Sequence, residues 1–243
     1  VANPLGAIVV SGCNPKTFSV PVTGCTGGTV IWSFGDGGVA SGNPVTHAYA
    51  NAGVYGVVAS ITCNGCTFSV QSNAEVPVKA NFISSVTCGI NGAHTIALSN
   101  SSQTLGGWNV SSVTWTSSCG TPASGTGNTF TVNAPAGCAP VITLTITVTN
   151  TNTGQSCTDT KTVTFPFAST ALTISGTSNV CKDQPYTFTN NMPGMVQYSW
   201  TVNGGSPVSQ NAALTYTFSG TPVNQTVGLS VKDAYGCIYT ATF

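Results

Sequence analysis

Cysteine offers the most chemistry in this chain, because ten of its 243 residues are cysteines. Two of them, in Cys63-Asn64-Gly65-Cys66, have the C-x-x-C spacing of thiol–disulfide enzymes. A reactive thiolate of that kind depends on a helix N-terminus or a nearby positive charge to lower its pKa. The flanking sequence offers neither, so we expect structural disulfides here and no redox catalysis.

Asp36 and His47 form a second group with chemical potential, as an acid–base pair or as metal ligands. Such sites need several convergent groups, and this part of the chain adds only Glu75. Calcium held by Asp36 and backbone carbonyls is the alternative. His94 lies in an alternating strand pattern without a second histidine nearby, so we expect it on the surface. We predict no catalytic residue, no cofactor and no enzyme activity.

The composition excludes several classes of function. Charged residues make up 4% of the chain, against roughly 25% in an average soluble protein. The net charge is zero and no basic cluster occurs, which argues against binding to nucleic acid or to an anionic membrane. No apolar run approaches the roughly 20 residues that span a bilayer. An even number of cysteines in such a chain is typical of an oxidising compartment, so we expect an extracellular protein.

One pattern of strands and cysteines occurs three times along the chain. Each repeat contains a tryptophan in a segment that alternates polar and apolar residues, at Trp32, Trp115 and Trp200. Each repeat also has a longer alternating strand near its end, while helical spacing of apolar residues is absent. We predict three β-sandwich domains at residues 1–78, 79–167 and 168–243, joined by short linkers into a semi-rigid rod.

The repeats also align the cysteines. The opening cysteines are Cys13, Cys88 and Cys181, and the closing cysteines are Cys66, Cys157 and Cys237. The third repeat holds only two cysteines, which pair with each other if they pair within their domain. The same logic predicts Cys13–Cys66, Cys88–Cys157 and Cys181–Cys237, with Cys25–Cys63 and Cys119–Cys138 as additional bonds. Each set of four cysteines permits three connectivities.

The first repeat contains Trp32-Ser33-Phe34-Gly35-Asp36-Gly37, then His47-Ala48-Tyr49, then Ala52-Gly53-Val54-Tyr55. This order and spacing resembles the PKD (polycystic kidney disease) domain. The resemblance implies an immunoglobulin-like sandwich of seven strands and a structural role for the motif residues: Trp32, Gly35, Asp36, Gly37, His47, Tyr49, Gly53 and Tyr55. The second and third repeats depart from the motif and keep mainly Trp115 and Trp200. The predicted fold class is therefore all-β, with tandem immunoglobulin-like (PKD-like) β-sandwich domains, stapled by disulfides and almost without helix.

In its repeats and its low charge, the chain is similar to the repeat adhesins of gliding Bacteroidetes. The type IX secretion system exports those adhesins. That resemblance implies a stalk segment of a larger cell-surface adhesin. Its partners would be an extracellular surface, a polysaccharide ligand or neighbouring repeats of the same protein, with no nucleic acid and no membrane insertion. One alternative is a set of accessory carbohydrate-binding or spacer domains of a secreted hydrolase. Another is a self-assembling surface filament or surface-layer subunit.

Overall fold

The computed structural model describes residues 2–89, 92–167, 171–219 and 224–243. These residues contain 22 β-strands and no α-helix. All paired strands are antiparallel, and they form separate small sheets that enclose apolar clusters. The structure confirms the predicted all-β class of tandem immunoglobulin-like sandwiches. Within the described ranges, no helix is long and apolar enough to cross a membrane.

Seven strands build the first sandwich: β1 (Val9–Ser11), β2 (Lys16–Ser19), β3 (Ile31–Ser33), β4 (Val39–Ser41), β5 (Val45–His47), β6 (Gly53–Cys63) and β7 (Cys66–Val76). One sheet has the order β1-β2-β5 and the other has the order β4-β3-β6-β7. Alternate residues of β6, among them Val57, Ala59 and Ile61, are buried between the sheets. This is the two-residue period of a strand that packs one face against a core.

The second sandwich follows after one residue: β8 (Val78–Lys79), β9 (Phe82–Cys88), β10 (His94–Asn100), β11 (Gln103–Thr104), β12 (Trp108–Ser117), β13 (Ser124–Thr126), β14 (Thr129–Ala134), β15 (Val141–Asn150) and β16 (Ser156–Thr164). Its sheets have the orders β14-β10-β9 and β13-β12-β15-β16, with a short β11-β8 pair. Strand β15 shows the clearest alternation, because Ile142, Leu144, Ile146 and Val148 are buried while the threonines between them face outward.

The third sandwich is smaller: β17 (Ile174–Ser175), β18 (Pro185–Asn190), β19 (Gln197–Val202), β20 (Leu214–Thr217), β21 (Val227–Lys232) and β22 (Ile238–Thr242). Its two sheets have the orders β17-β18-β20 and β19-β21-β22. The predicted boundary at residues 167 and 168 adjoins residues 168–170, which lie outside the described part.

Trp32, Trp115 and Trp200 are each fully buried, and each belongs to a different apolar cluster. Each indole Nε1 donates a hydrogen bond to a backbone carbonyl ten to twelve residues later, at Gly42, Gly127 and Asn211, over 2.8, 2.8 and 2.9 Å. The polar atom of each large aromatic ring is therefore satisfied inside the core. The repeat inferred from the sequence corresponds to three equivalent centres of packing.

The disulfides depart from the predicted connectivity. Cys25–Cys63 and Cys119–Cys138 are present within the first and second sandwiches. Cys13 is bonded to Cys157, and Cys88 is bonded to Cys237, so both bonds join consecutive sandwiches.

The predicted pairs Cys13–Cys66, Cys88–Cys157 and Cys181–Cys237 are therefore wrong, and Cys66 and Cys181 are exposed free thiols. The prediction assumed that each domain closes on itself. Because few residues separate consecutive sandwiches, the opening cysteine of one sandwich lies against the closing cysteine of the next. The bonded Cα atoms are 5.5 Å apart at the first junction and 5.4 Å apart at the second, within the usual range for a disulfide.

Candidate functional site: a polar turn and two junctions

The turn between β3 and β4 carries the Gly-Asp-Gly motif. Gly35 and Gly37 have φ of +82° and +92°, a conformation that side chains with a Cβ rarely adopt. A Cβ on Gly35 would lie 2.6 Å from the carbonyl oxygen of Gly56, whereas a Cβ on Gly37 would meet open space. Asp36 closes the turn, because its Oδ1 accepts a hydrogen bond from the amide of Gly38 over 2.9 Å.

Asp36 and His47 do meet, with Oδ2 and Nε2 2.7 Å apart. The His47 ring also stacks on Phe34, with centroids 4.1 Å apart, and meets the edge of Tyr49 at 4.6 Å. Burial raises the pKa of Asp36, but the hydrogen bonds from His47 and Gly38 and the charge of His47 outweigh it, so the pKa lies below its usual value. Both carboxylate oxygens are thus engaged by groups of the fold. This arrangement holds a turn in place.

Tyr49 and Tyr55 complete the aromatic group. Tyr49 is buried, and its hydroxyl donates to the carbonyl of Phe34 over 3.1 Å. Burial, with the nearby charge of Asp36 and with Tyr55, raises the pKa of Tyr49 to about 12. Tyr55 lies on β6, which begins at Gly53, and its ring stacks on Tyr49 at 4.0 Å. The motif residues therefore lie together in one packed network.

The first junction joins the first and second sandwiches through Cys13–Cys157. A separate apolar cluster surrounds this bond and consists of Val78, Ala80, Trp108, Ile146, Val148 and Cys157, with Cys13 partly buried against it. Beside it, Asp159 accepts the amide of Ala80 over 2.7 Å and lies 3.6 Å from the Nζ of Lys79. The amide of Ala52 in the first sandwich donates to Oε1 of Gln103 in the second over 3.2 Å.

The second junction joins the second and third sandwiches through Cys88–Cys237 and buries a polar group. His94 is 2% exposed, so the expectation of a surface histidine is wrong. Its ring stacks on Phe167 at 3.8 Å, and its Nε2 lies 3.2 Å from the hydroxyl of Tyr239. The third sandwich covers this face of β10, which the strand pattern alone could not show.

Asp233 anchors the same group from the third sandwich. Its Oδ1 accepts the amides of Tyr235 and Cys237, and its Oδ2 accepts the hydroxyl of Tyr239 over 3.2 Å. Burial, together with the charge of Asp233 and this hydrogen bond, raises the pKa of Tyr239 to about 12. The buried Nδ1 of His94 has no hydrogen-bond partner among the described residues.

Within the described part of the chain, three potential metal-ligand atoms converge at this second junction, from His94, Asp233 and Cys237. The sulfur of Cys237 is bonded to Cys88, so it is not the thiolate that a metal ion requires. The residues present do not fit a metal centre while the disulfide is intact. This group could not be predicted from the sequence, because His94 and Tyr239 are 145 residues apart.

Residues 17–78 match the PKD domain. The PKD match begins within β2 and ends at Val78, the first residue of β8, so it includes the Asp36 turn and the aromatic network. The rest of the second sandwich and the whole third sandwich lie outside it. A solved structure titled "Structural basis for Dscam isoform specificity" aligns with 100% of this chain and 71% of that one, at 12% identity and a TM-score of 0.28. Similarity at that level carries no functional argument. No curated protein matches the chain.

Proposed function

We propose that this chain is an extracellular structural and adhesive stalk segment of a larger bacterial cell-surface adhesin, without catalytic activity. The observation that carries the proposal is the pair of disulfides across the two junctions, which close loops of 144 and 149 residues. Disulfides that link whole domains suit a protein that must keep its domains connected under load in an oxidising environment. The PKD match and the near absence of charge support a setting like that of gliding-motility adhesins and type IX export.

The disulfides limit how far the chain can be stretched. The shortest covalent route between the ends crosses Cys25–Cys63 and then Cys88–Cys237. It contains about 55 extensible residues, or roughly 200 Å, against roughly 850 Å for the fully reduced chain. If Cys88–Cys237 is lost, Cys13–Cys157 still limits the route to about 100 residues, or roughly 350 Å. The two junction bonds therefore act as successive limits on extension.

Single-molecule stretching from the two ends tests this mechanical role. We expect a maximum length of roughly 200 Å for the oxidised chain and roughly 350 Å for the C88S/C237S variant. The C66S/C181S variant is the matched control, because it removes two cysteines and no disulfide, and it should keep the shorter limit. An oxidised chain that extends as far as the reduced chain would refute the stalk.

A hydroxyl ladder on the second sandwich is the proposed adhesive face. It consists of four cross-strand pairs on β15 and β16: Thr143 with Thr162, Thr145 with Thr160, Thr147 with Thr158 and Thr149 with Ser156. Three of these pairs share hydroxyl hydrogen bonds of 2.9 to 3.0 Å. The ladder offers regularly spaced neutral donors and acceptors to a polar surface or polysaccharide.

Attachment of protein-coated beads to polysaccharide-coated glass under flow tests this face. We expect T145K/T160K to reduce attachment at least fivefold, because two long charged side chains would interrupt the ladder. The control is T62K/T67K, which changes an exposed hydroxyl pair on the first sandwich. Equal attachment of the two variants would contradict the proposal that the hydroxyl ladder is the adhesive face.

A further inference from the structure

Two free cysteines occupy equivalent positions to cysteines that are bonded elsewhere in the chain. Each sandwich has an opening cysteine at or after the end of an early strand: Cys13 follows β1, Cys88 is the last residue of β9 and Cys181 follows β17. Each also has a closing cysteine at the start of its last strand, at Cys66, Cys157 and Cys237. Four of these six are bonded, and Cys66 and Cys181 are free and exposed.

The bonded pairs follow one rule. The opening cysteine of one sandwich bonds the closing cysteine of the next, as in Cys13–Cys157 and Cys88–Cys237. The sequence separations, 144 and 149 residues, are nearly equal. Under this rule Cys181 requires the closing cysteine of a sandwich that follows, and Cys66 requires the opening cysteine of a sandwich that precedes.

Burial agrees with this rule. Cys157 and Cys237 are each only 3% exposed, where a preceding sandwich lies against them. Cys66 occupies the same place in its sandwich and is exposed. Among the described residues, Cys66 is thus the closing cysteine that no other sandwich covers.

We propose that Cys181 of one copy of this chain forms a disulfide with Cys66 of a second copy, so that copies join head to tail. A second copy supplies both complementary cysteines in the same structural positions as the bonds already present. The contact is heterologous, because different surfaces meet, and such contacts build open filaments when they do not close into a ring. This inference concerns separate copies of these 243 residues. It goes beyond the stalk function and does not depend on attachment to a surface.

The bond forms by thiol–disulfide exchange with a small disulfide such as oxidised glutathione. The Cys66 thiolate attacks one sulfur of the oxidant, which releases one glutathione thiol and leaves a mixed disulfide. The Cys181 thiolate of the other copy then displaces the second glutathione. Two protein thiols are oxidised to one disulfide, and one oxidised glutathione is reduced to two thiols that take up the two protons.

Mixing single-cysteine variants tests the proposal. The folded chain with its four disulfides intact is incubated with oxidised glutathione, and products are separated without reductant. We expect the wild type to form a ladder of multiples of 24.5 kDa. C66S alone and C181S alone should remain monomeric, and their equimolar mixture should give a single dimer at least ten times faster than either alone. Peptide mapping should identify Cys66 linked to Cys181.

Three outcomes would overturn the proposal. Either single variant could dimerise as fast as the mixture, which would show unspecific oxidation of exposed thiols. The wild type could remain free of cross-links, or Cys66 and Cys181 could bond within one copy and give an oxidised monomer. The C66S/C181S variant controls for reshuffling of the four internal disulfides. None of these readouts involves force or attachment, so failure here is distinguishable from failure of the stalk.

Discussion

The same four kinds of side chain meet twice in this molecule. The local group is Asp36, His47, Phe34 and Tyr49, within the first sandwich. The junction group is Asp233, His94, Phe167 and Tyr239, in which His94 belongs to the second sandwich and Asp233 and Tyr239 to the third. In both groups the aspartate accepts an amide two residues ahead and the histidine stacks flat on a phenylalanine.

The two groups differ in reach and burial. Asp36 and His47 are 11 residues apart, 2.7 Å from each other and partly exposed, with side-chain exposures of 24% and 19%. His94 and Asp233 are 3.7 Å apart, their side chains are 0% and 9% exposed, and the hydroxyl of Tyr239 lies between them. Removing a hydrogen-bond partner costs more folding free energy at a buried polar group than at an exposed one. The local group should therefore mainly hold a turn, while the junction group should help hold two domains together.

Loss of the covalent bond beside the junction group should have the largest effect. Removing a disulfide that closes a loop of 149 residues costs about 5 kcal/mol in the chain-entropy account. Within the described residues the third sandwich has no other disulfide. We therefore expect the third sandwich of C88S/C237S to unfold at a much lower denaturant concentration than that of the wild type. C13S/C157S is the matched control, because the first sandwich keeps Cys25–Cys63. Equal shifts of the two denaturation midpoints would contradict this asymmetry.

Backbone substitution in the local group should come next. We expect Gly35→Ala to destabilise the first sandwich by about 3 kcal/mol, because the positive φ is joined by a clash with backbone. Gly37→Ala shares the positive φ without the clash and should cost about 1 kcal/mol. Thermal melting of both variants measures the difference. Equal losses would show that the approach of Gly35 to Gly56 is unimportant.

Removing one hydroxyl from the junction group should have a smaller effect. Tyr239→Phe removes the hydroxyl that contacts Oδ2 of Asp233 and Nε2 of His94, at a cost of about 1 to 3 kcal/mol. Tyr235→Phe is the control, since no hydroxyl hydrogen bond joins Tyr235 to the described residues, although its ring contacts Phe165 and Phe167. Denaturant titration measures the stability of both variants. If Tyr235→Phe were as destabilised as Tyr239→Phe, the buried hydrogen bonds of the Tyr239 hydroxyl would have no special role in stability.

The contact between Asp36 and His47 in the local group should contribute least. Because the pKa of Asp36 is lowered in the folded protein, its contribution is present above the unfolded value of 3.8 and is lost as the pH falls through the folded value. We expect Asp36→Asn to cost less than about 1 kcal/mol at neutral pH, and the difference from wild type to vanish in acid. Melting curves across this pH range test the sign.

Asp183→Asn serves as the control for that series, since Asp183 and Lys182 are 3.9 Å apart and more than 60% exposed. Its melting curves should match those of the wild type at every pH. If Asp36→Asn still differed in stability from the wild type at the lowest pH, the contribution of Asp36 to the turn would not come from its charge.

Much of the fold follows from local pattern. Two-residue alternation predicted a strand around each tryptophan and a longer strand late in each repeat. The structure has β3, β12 and β19 at the tryptophans and β6, β15 and β21 as the late strands. Alternation is a property of neighbouring residues, since one face of each strand must pack on a core. The turn at Asp36 could also be predicted from the sequence, because Asp36 and its partner His47 are only 11 residues apart.

The sequence by itself determined the strands, the three tryptophan centres and the PKD-like turn, because each depends on residues close together in the chain. Only the tertiary structure decided that Cys13 bonds Cys157, that Cys88 bonds Cys237 and that His94 is buried. Those contacts depend on how consecutive sandwiches pack, and they join residues more than 140 positions apart. A repeat pattern shows which cysteines are equivalent, but the choice between a partner in the same domain and one in the next is made by the geometry of the junction.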